Sequence, residues 1–163
     1  MKIGKALADK KAAQNALARL VSVRNKDFFV IKGRKPQITL AELEREIGKK
    51  MERIRDLKLR IIYTNCHTRL EDGVTLQEAI IHLGDLRSEL QAYNELLAQE
   101  GADPTAYVEV RVRGGSIKEK VAQLDRKKLL QRIEAMEARK YELDALIAKA
   151  NNNIDIIERI PRG

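Results

Sequence analysis

Apolar residues recur every seven positions through two long stretches of the chain, residues 39–67 and 75–100. The apolar positions of each stretch form a seam along the predicted helix. In the first stretch the seam consists of Leu40, Ile47, Ile54 and Ile61, with Leu43 and Leu57 between them. In the second it consists of Leu76, Leu83, Leu90 and Leu97, with Leu86 between them. A 3.5-residue repeat over three heptads is typical of helices that pack as coiled coils. We therefore predict two helices of about 25 residues, each roughly 38 Å long at about 1.5 Å per residue.

Both predicted helices begin with the same local signal. Thr39 is followed three residues later by Glu42, and Thr75 by Glu78. In such a capping box the hydroxyl and the carboxylate each satisfy a backbone amide at the helix start. A sharp turn at Asp72-Gly73 separates the helices, so we expect residues 39–100 to form an antiparallel helical hairpin.

The flanking segments predict smaller elements. Residues 1–35 indicate a basic N-terminal helix and loop, and both Phe residues lie in that loop, where we expect them to be buried. Alternation over 105–121 around a Gly-Gly pair predicts a small β-hairpin. Residues 125–157 indicate a C-terminal helix. The predicted fold is mainly α: a single domain over residues 1–163, built as a long antiparallel coiled-coil bundle of about four helices with this hairpin.

Composition agrees with that architecture and indicates a compartment. Charged residues make up 34% of the 163 residues, aromatic residues only 4%, and Trp is absent. Such a composition is typical of long helices and coiled coils. One Cys forms no internal disulfide, which favours the reducing cytosol. With no visible secretion signal and no apolar run of about 18 residues, we expect a cytoplasmic protein.

The net charge of +8 is concentrated at one end of the chain. Residues 1–35 hold ten Lys and Arg against two Asp, and the remainder is balanced. A basic region of this kind suits nucleic acid, with the candidate contacts Lys2, Lys5, Lys10, Lys11, Arg19, Arg24, Arg111 and Arg113. The last two, with Lys118 and Lys120, mostly fall on one face of the predicted hairpin. The alternative is that the basic region is solvated or faces an acidic surface of the same fold or of a sister subunit.

Groups for catalysis are scarce. Cys66 and His67 are adjacent, and neighbouring side chains on a helix point about 100° apart, which suits helix-end packing better than a nucleophile–base pair. Neither a Cys/His cluster with metal-ligand spacing nor a glycine-rich phosphate loop before a helix occurs. We therefore expect no catalytic residues, no cofactor and no metal, and a protein that is not an enzyme.

Two Asn residues follow an apolar seam position by four residues. Asn65 follows Ile61, and Asn151 follows Ile147, each near the predicted end of a helix. A buried Asn in an apolar seam sets the register of packed helices through side-chain hydrogen bonds. We interpret both as architectural.

The centre of the chain resembles a known family. Residues 61–65 read Ile-Ile-Tyr-Thr-Asn, and residues 68–79 read Thr-Arg-Leu-Glu-Asp-Gly-Val-Thr-Leu-Gln-Glu-Ala. This is similar to the signature of the septicolysin-like bacterial proteins, whose function is essentially uncharacterised. The matching positions are Asn65, Thr68, Leu70, Asp72, Gly73, Thr75, Leu76, Glu78, Ala79 and, in the last helix, Asn151. The chain has Asn152 where many relatives carry Trp. The resemblance implies long helices, a small β element and self-association.

The sequence thus favours a non-enzymatic helical bundle that forms homo-oligomers. A nucleic-acid-binding module that uses the basic N-terminal region is the first alternative. A membrane-active toxin, which the family name suggests, is the second. The chain lacks the secretion signal, the spanning segment and the Trp or Tyr belt of a membrane-active surface, which argues against the toxin.

Overall fold

A computed structural model describes residues 1–26, 29, 38–71, 73–99, 108–111, 117–120 and 125–160. In this part of the chain the fold is mainly helical, as predicted. The four helices are α1 (Ile3–Lys26), α2 (Leu40–His67), α3 (Leu76–Gln99) and α4 (Arg126–Asn153), and two short strands are β1 (Val108–Arg111) and β2 (Ile117–Lys120).

The start of each long helix is fixed by local hydrogen bonds. The backbone N–H of Thr39 donates to the Glu42 carboxylate at 2.9 Å, and the N–H of Glu42 donates to the Thr39 hydroxyl at 3.3 Å. The predicted capping box of α2 is therefore confirmed, and α3 begins in the same way. Asp125 caps α4 by accepting the N–H of Lys127 at 3.0 Å.

Two compact units divide the chain, Met1–Glu78 with Ile147–Gly163, and Ala79–Leu146. In the first unit α1 packs against α2. The two helices run antiparallel, because Arg24 near the end of α1 pairs with Glu44 near the start of α2 at 3.1 Å. The buried apolar residues of this unit are Ile3, Ala6, Leu43, Ile47, Ile54, Leu57, Ile61, Leu76, Ala150 and Ile156.

In the second unit α3 packs against α4. Leu90 of α3 and Leu129, Ile133 and Met136 of α4 form one buried cluster. Arg87 pairs with Asp144, whereas the later Tyr93 lies under the earlier Arg132, so the two helices run antiparallel. Single-domain organisation over residues 1–163 stays a prediction, and so does the pairing of α2 with α3.

The heptad seam of α2 is confirmed along most of its length and wrong at its first position. Ile47, Ile54 and Ile61 are buried, but Leu40 is 48% exposed. Met51, which stands beside the seam break at Lys50, is also half exposed. The seam period identifies the face of a helix that packs, but it does not determine where along the helix a partner covers that face.

The prediction that both Phe residues are buried is wrong for Phe29, whose side chain is 87% exposed, and Phe28 lies outside the described residues. The strands pair antiparallel, with Val110 opposite Lys118 and Arg111 opposite Ile117. The single basic face of Arg111, Lys118 and Lys120 stays a prediction. Arg113, the turn and the flanks lie outside the described residues, and the complete β-hairpin stays a prediction.

Candidate functional site

The loop between α2 and α3 closes through its own backbone. The N–H of Leu76 donates to the carbonyl of Thr68 at 2.8 Å, and that of Leu70 donates to the carbonyl of Val74 at 2.8 Å. Gly73 lies at the tip with φ of +86°. This left-handed conformation is strained for any residue with a Cβ, so the sequence expectation for Gly73 is confirmed. Asp72 lies outside the described residues.

Replacing Gly73 with Val should lower the free energy of unfolding by about 1–2 kcal/mol, because a Cβ collides with the carbonyl in the left-handed region. Gly84→Ala is the control, since Gly84 lies within α3, has no atom within 4 Å of the Cβ position and does not have a positive φ. That control should raise stability by about 0.5–1 kcal/mol. Urea unfolding followed by circular dichroism measures both, and a Gly73→Val protein as stable as wild type contradicts the turn assignment.

The rest of the loop motif stabilises the start of α3. The Thr75 N–H donates to the Glu78 carboxylate at 2.6 Å, and the Glu78 N–H donates to the Thr75 hydroxyl at 3.2 Å. Leu76 and Ala79 are completely buried. These motif residues therefore cap the start of α3 and pack locally, which is a structural role.

Residues 154–157, which we name the C-terminal strap, pass between the start of the chain and α2. The N–H of Ile3 donates to Ile154 at 2.9 Å, and the N–H of Ile156 donates to Met1 at 2.8 Å. On the other side, the Thr64 hydroxyl accepts the N–H of Ile157 at 3.0 Å. A Thr within an apolar segment of α2 is a weak signal for this contact in the sequence.

An arginine of α2 also binds the strap. Arg60 donates its Nε–H to the Ile157 carbonyl at 2.8 Å, and one of its terminal nitrogens lies 3.3 Å from Asp56. The Thr64 hydroxyl in turn donates to the Arg60 carbonyl at 2.8 Å. Both backbone polar groups of Ile157 are therefore satisfied by side chains of α2.

Exposed ion pairs surround the strap. Lys2 donates to Asp155 at 2.7 Å and to the carbonyl of Asn153 at 2.9 Å. The hydrogen bond from Lys2, followed by the bond from the Met1 amino group, lowers the pKa of Asp155 below its ordinary value. Lys149 binds Glu71 and lowers the pKa of that carboxyl in the same way.

The register hypothesis for the two Asn residues is not supported by their contacts. Asn65 is buried, but its Oδ1 has no hydrogen-bond partner. Asn151 is half-buried, and its carbonyl lies 3.2 Å from the position that a Cβ on Gly4 would occupy. The backbone of α4 thus approaches α1 closely at Gly4. It is this approach, together with the strap, that aligns the helix ends.

The side chains of Cys66 and His67 have different surroundings. The His67 ring stacks on Tyr63 with 4.0 Å between centroids, and its Nδ1 lies 2.8 Å from the Tyr63 carbonyl. The thiol of Cys66 is exposed. His67 is therefore held by its own helix, in agreement with the helix-end packing that the sequence favoured.

Three apolar residues on one face of α2 are about half exposed. Leu40, Met51 and Ile62, which we name the outer stripe, are 48%, 50% and 53% exposed. They are spaced by eleven residues, which is close to three helical turns, so they line up along the helix within about 40°. Leu40 is also the exposed first position of the seam, so the outer stripe borders the buried seam of the same helix.

The basic residues of α1, together with Lys2 just before it, divide into two groups. Lys2 and Arg24 are ion-paired with Asp155 and Glu44, and Lys10 is half-buried. The other group consists of the exposed residues Lys5, Lys11, Arg19 and Lys26, which we name the basic face. At about 100° per residue they fall within a sector of about 120°.

An open groove of about 520 Å³ lies between α1 and α2. Its walls include Arg19 of the basic face and the half-buried Lys50. Glu46, also in the wall, is ion-paired with Lys49 at 2.9 Å, and this hydrogen bond lowers the pKa of the Glu46 carboxyl. The small side chains of Ala12 and Ala16 leave the space open.

Comparison with known proteins identifies a family. Residues 10–156 match the family described as "Family of unknown function (DUF6847)". The chain belongs to this family. No curated protein matches its sequence.

A solved structure shares the fold of this family member. It is titled "Crystal structure of a functionally unknown conserved protein from Corynebacterium diphtheriae". The TM-score is 0.81 with 24% sequence identity, over 96% of this chain and 99% of that chain. At this identity the likeness concerns the fold.

Among the residues that the structure describes, no helix is long and apolar enough to cross a membrane. Within the same residues, no three His, Cys, Asp or Glu side chains are grouped so as to hold a metal ion. In this DUF6847 protein, the outer stripe of α2 exposes apolar side chains and the basic face of α1 exposes cations.

Proposed function

We propose that this protein is a non-enzymatic helical scaffold that associates with copies of itself through the outer stripe of α2. The observation that carries the proposal is the exposure of Leu40, Met51 and Ile62 along one line of a 28-residue helix. Full burial of an exposed apolar side chain contributes about 1.5–3 kcal/mol, and these three side chains, about half exposed, would each contribute about half of that. Three aligned residues therefore provide a substantial driving force for association.

A second copy fits this stripe better than an unrelated protein does, because the stripe is symmetric about its centre. Met51 lies eleven residues after Leu40 and eleven before Ile62. If two α2 helices pair antiparallel about a twofold axis at Met51, Met51 meets its equivalent and Leu40 meets Ile62. Such a contact is isologous, which is the commonest arrangement in homodimers.

Charges beside the stripe have the same symmetry. Glu44 lies seven residues before Met51, and Lys58 lies seven after it. The antiparallel arrangement therefore places a carboxylate of one copy opposite an ammonium group of the other. Glu44 is half exposed while one of its oxygens binds Arg24, and a carboxylate has a second oxygen able to accept a hydrogen bond. This complementarity opposes the parallel arrangement, in which each charge faces its own kind.

Association should depend on Met51. Met51→Glu places two like charges on the symmetry axis, so we expect this variant to elute at the monomer mass of 18.6 kDa, while wild type elutes at a multiple of that mass. Ile81→Glu is the control, because Ile81 of α3 is 51% exposed and lies outside the stripe. Light scattering after size exclusion, over a hundredfold range of protein concentration, measures the mass.

Two results would contradict the proposal: a wild-type monomer at every concentration, or a Met51→Glu protein that associates as strongly as wild type. Disulfide cross-linking in a Cys66→Ser background tests the orientation. Met51→Cys should yield a covalent dimer on oxidation. Leu40→Cys and Ile62→Cys should cross-link when mixed and not separately, whereas a parallel pair would cross-link each variant to itself.

The kinship with septicolysin-like proteins is proposed on the motif residues alone, at 61–65 and 68–79. Its support is that these residues carry the end of α2, the loop and the start of α3. A shared motif of this kind specifies a helix–loop–helix junction. We therefore assign no membrane-active role through it.

A further inference from the structure

We propose that the basic face of α1 binds the phosphate backbone of double-stranded nucleic acid. Lys5, Lys11, Arg19 and Lys26 are exposed on one sector of the helix. No described residue forms a salt bridge with any of the four. They are therefore available to an external anion, in contrast to Lys2 and Arg24, which carboxylates already neutralise.

The composition of the sector is as informative as its charge. Asp9, the one acidic residue within α1, is half-buried and lies outside the sector. The other residues of the sector include Ala8, Asn15 and Ser22, and Val23 is its one exposed large apolar side chain among the described residues. A surface that carries only positive charge repels other cations and attracts a polyanion from any approach along its length.

The length of the face matches a duplex. Lys5 and Lys26 are 21 residues apart, or about 32 Å at about 1.5 Å per residue. One turn of B-DNA spans about 34 Å. Four cations at intervals of about 9–12 Å along this length meet several phosphates of one duplex turn.

A duplex fits this face better than a single strand or a membrane does. Single strands are held by bases stacked on aromatic side chains, and α1 contains no aromatic residue. A helix that lies on a membrane presents apolar residues to the lipid. In α1 the buried Ile3 and Ala6 and the half-buried Leu17 and Leu20 lie on the side opposite to the basic face.

The groove between α1 and α2 extends the surface at its middle. Arg19 belongs to the basic face and also lines the groove, where Lys50 stands on the opposite helix. A phosphate at the mouth of the groove would meet cations of both helices. The binding surface then includes residues of two helices, which favours a fixed orientation of the protein on the duplex.

The test is fluorescence anisotropy of a labelled DNA duplex and a labelled RNA duplex at several salt concentrations. Each phosphate contact adds about 0.9 to the slope of log K against log salt for B-DNA. Removing two contacts with Lys11→Gln/Arg19→Gln should reduce the slope by about 1.8 and weaken binding about 60-fold at about 0.1 M salt. Lys127→Gln/Lys128→Gln, at exposed positions of α4, is the charge-matched control and should bind as wild type does.

Equal losses of duplex affinity in the two double variants would overturn the proposal, because they would show that only the net charge of the protein matters. Two further results would also overturn it: binding that does not change with salt, or binding to phosphatidylserine vesicles at protein concentrations that leave both duplexes free. The variants of this test lie on α1 and leave Met51 unchanged. The mass of each variant in solution therefore separates a failure here from a failure of self-association.

Discussion

Leu57→Ala should destabilise the protein by about 3 kcal/mol, within the range of about 2–5 kcal/mol measured for buried leucines. Leu57 is 0% exposed and lies in the core between α1 and α2. Truncation removes the transfer free energy of the lost methyl and methylene groups and leaves a cavity. The flanking seam residues Ile54 and Ile61 are held one turn away on each side, so they do not collapse fully into that cavity.

Urea unfolding followed by far-ultraviolet circular dichroism measures the effect, since most of the signal comes from helices. A domain of this size should also lose roughly 6–12 °C in Tm. Leu130→Ala deletes the same atoms from an exposed Leu of α4 and should change stability by less than about 0.5 kcal/mol. Equal destabilisation by the two variants would contradict the assigned core.

Thr64→Val should lower the free energy of unfolding by about 1–3 kcal/mol, because it leaves the Ile157 N–H without its acceptor. Val has the shape of Thr, so packing changes little and the loss reports the hydrogen bond of 3.0 Å from Ile157. The bond from Arg60 to the Ile157 carbonyl depends on the same position of the strap. Fraying of the strap should therefore accompany the loss.

Ser88→Ala is the matched control for that variant. The Ser88 hydroxyl donates to the carbonyl of Gly84 four residues earlier, as Thr64 does to Arg60, but it accepts no N–H from another segment. We expect its stability within about 0.5 kcal/mol of wild type. Hydrogen exchange gives a local measurement: the Ile157 amide should exchange faster in Thr64→Val. An amide equally protected in both proteins would show that the hydroxyl does not hold the strap.

Local chemistry was readable in the sequence. The capping boxes at Thr39 and Thr75 and the positive φ of Gly73 were predicted because each depends on atoms within three or four residues of one another. The seam of α2 was predicted through Ile47, Ile54 and Ile61. It failed at Leu40, since the repeat defines a direction on the helix and not the length over which another helix covers it.

The candidate surfaces could be predicted only in part from the sequence. The excess of basic residues in the N-terminal region follows from counting, and Lys5, Lys11 and Arg19 were among the named candidates. From the sequence alone, Lys2 and Arg24 were equally good candidates for binding an anion. Their ion pairs with Asp155 and Glu44 join residues 153 and 20 positions apart, and no local pattern predicts such partners. Asn65 was expected to be buried and is, but its Oδ1 has no hydrogen-bond partner among the described residues.

The sequence by itself determined that this protein is mainly helical, where α2, α3 and α4 begin, how the loop at Gly73 turns, and which stripe of each helix is apolar. These properties arise from backbone geometry and nearest-neighbour hydrogen bonds. Only the tertiary structure decided that Thr64 and Arg60 hold the strap, that Met51 is exposed, and that the basic face is separate from the paired cations. These properties depend on which distant segments meet, and that depends on the free energy of packing the whole chain.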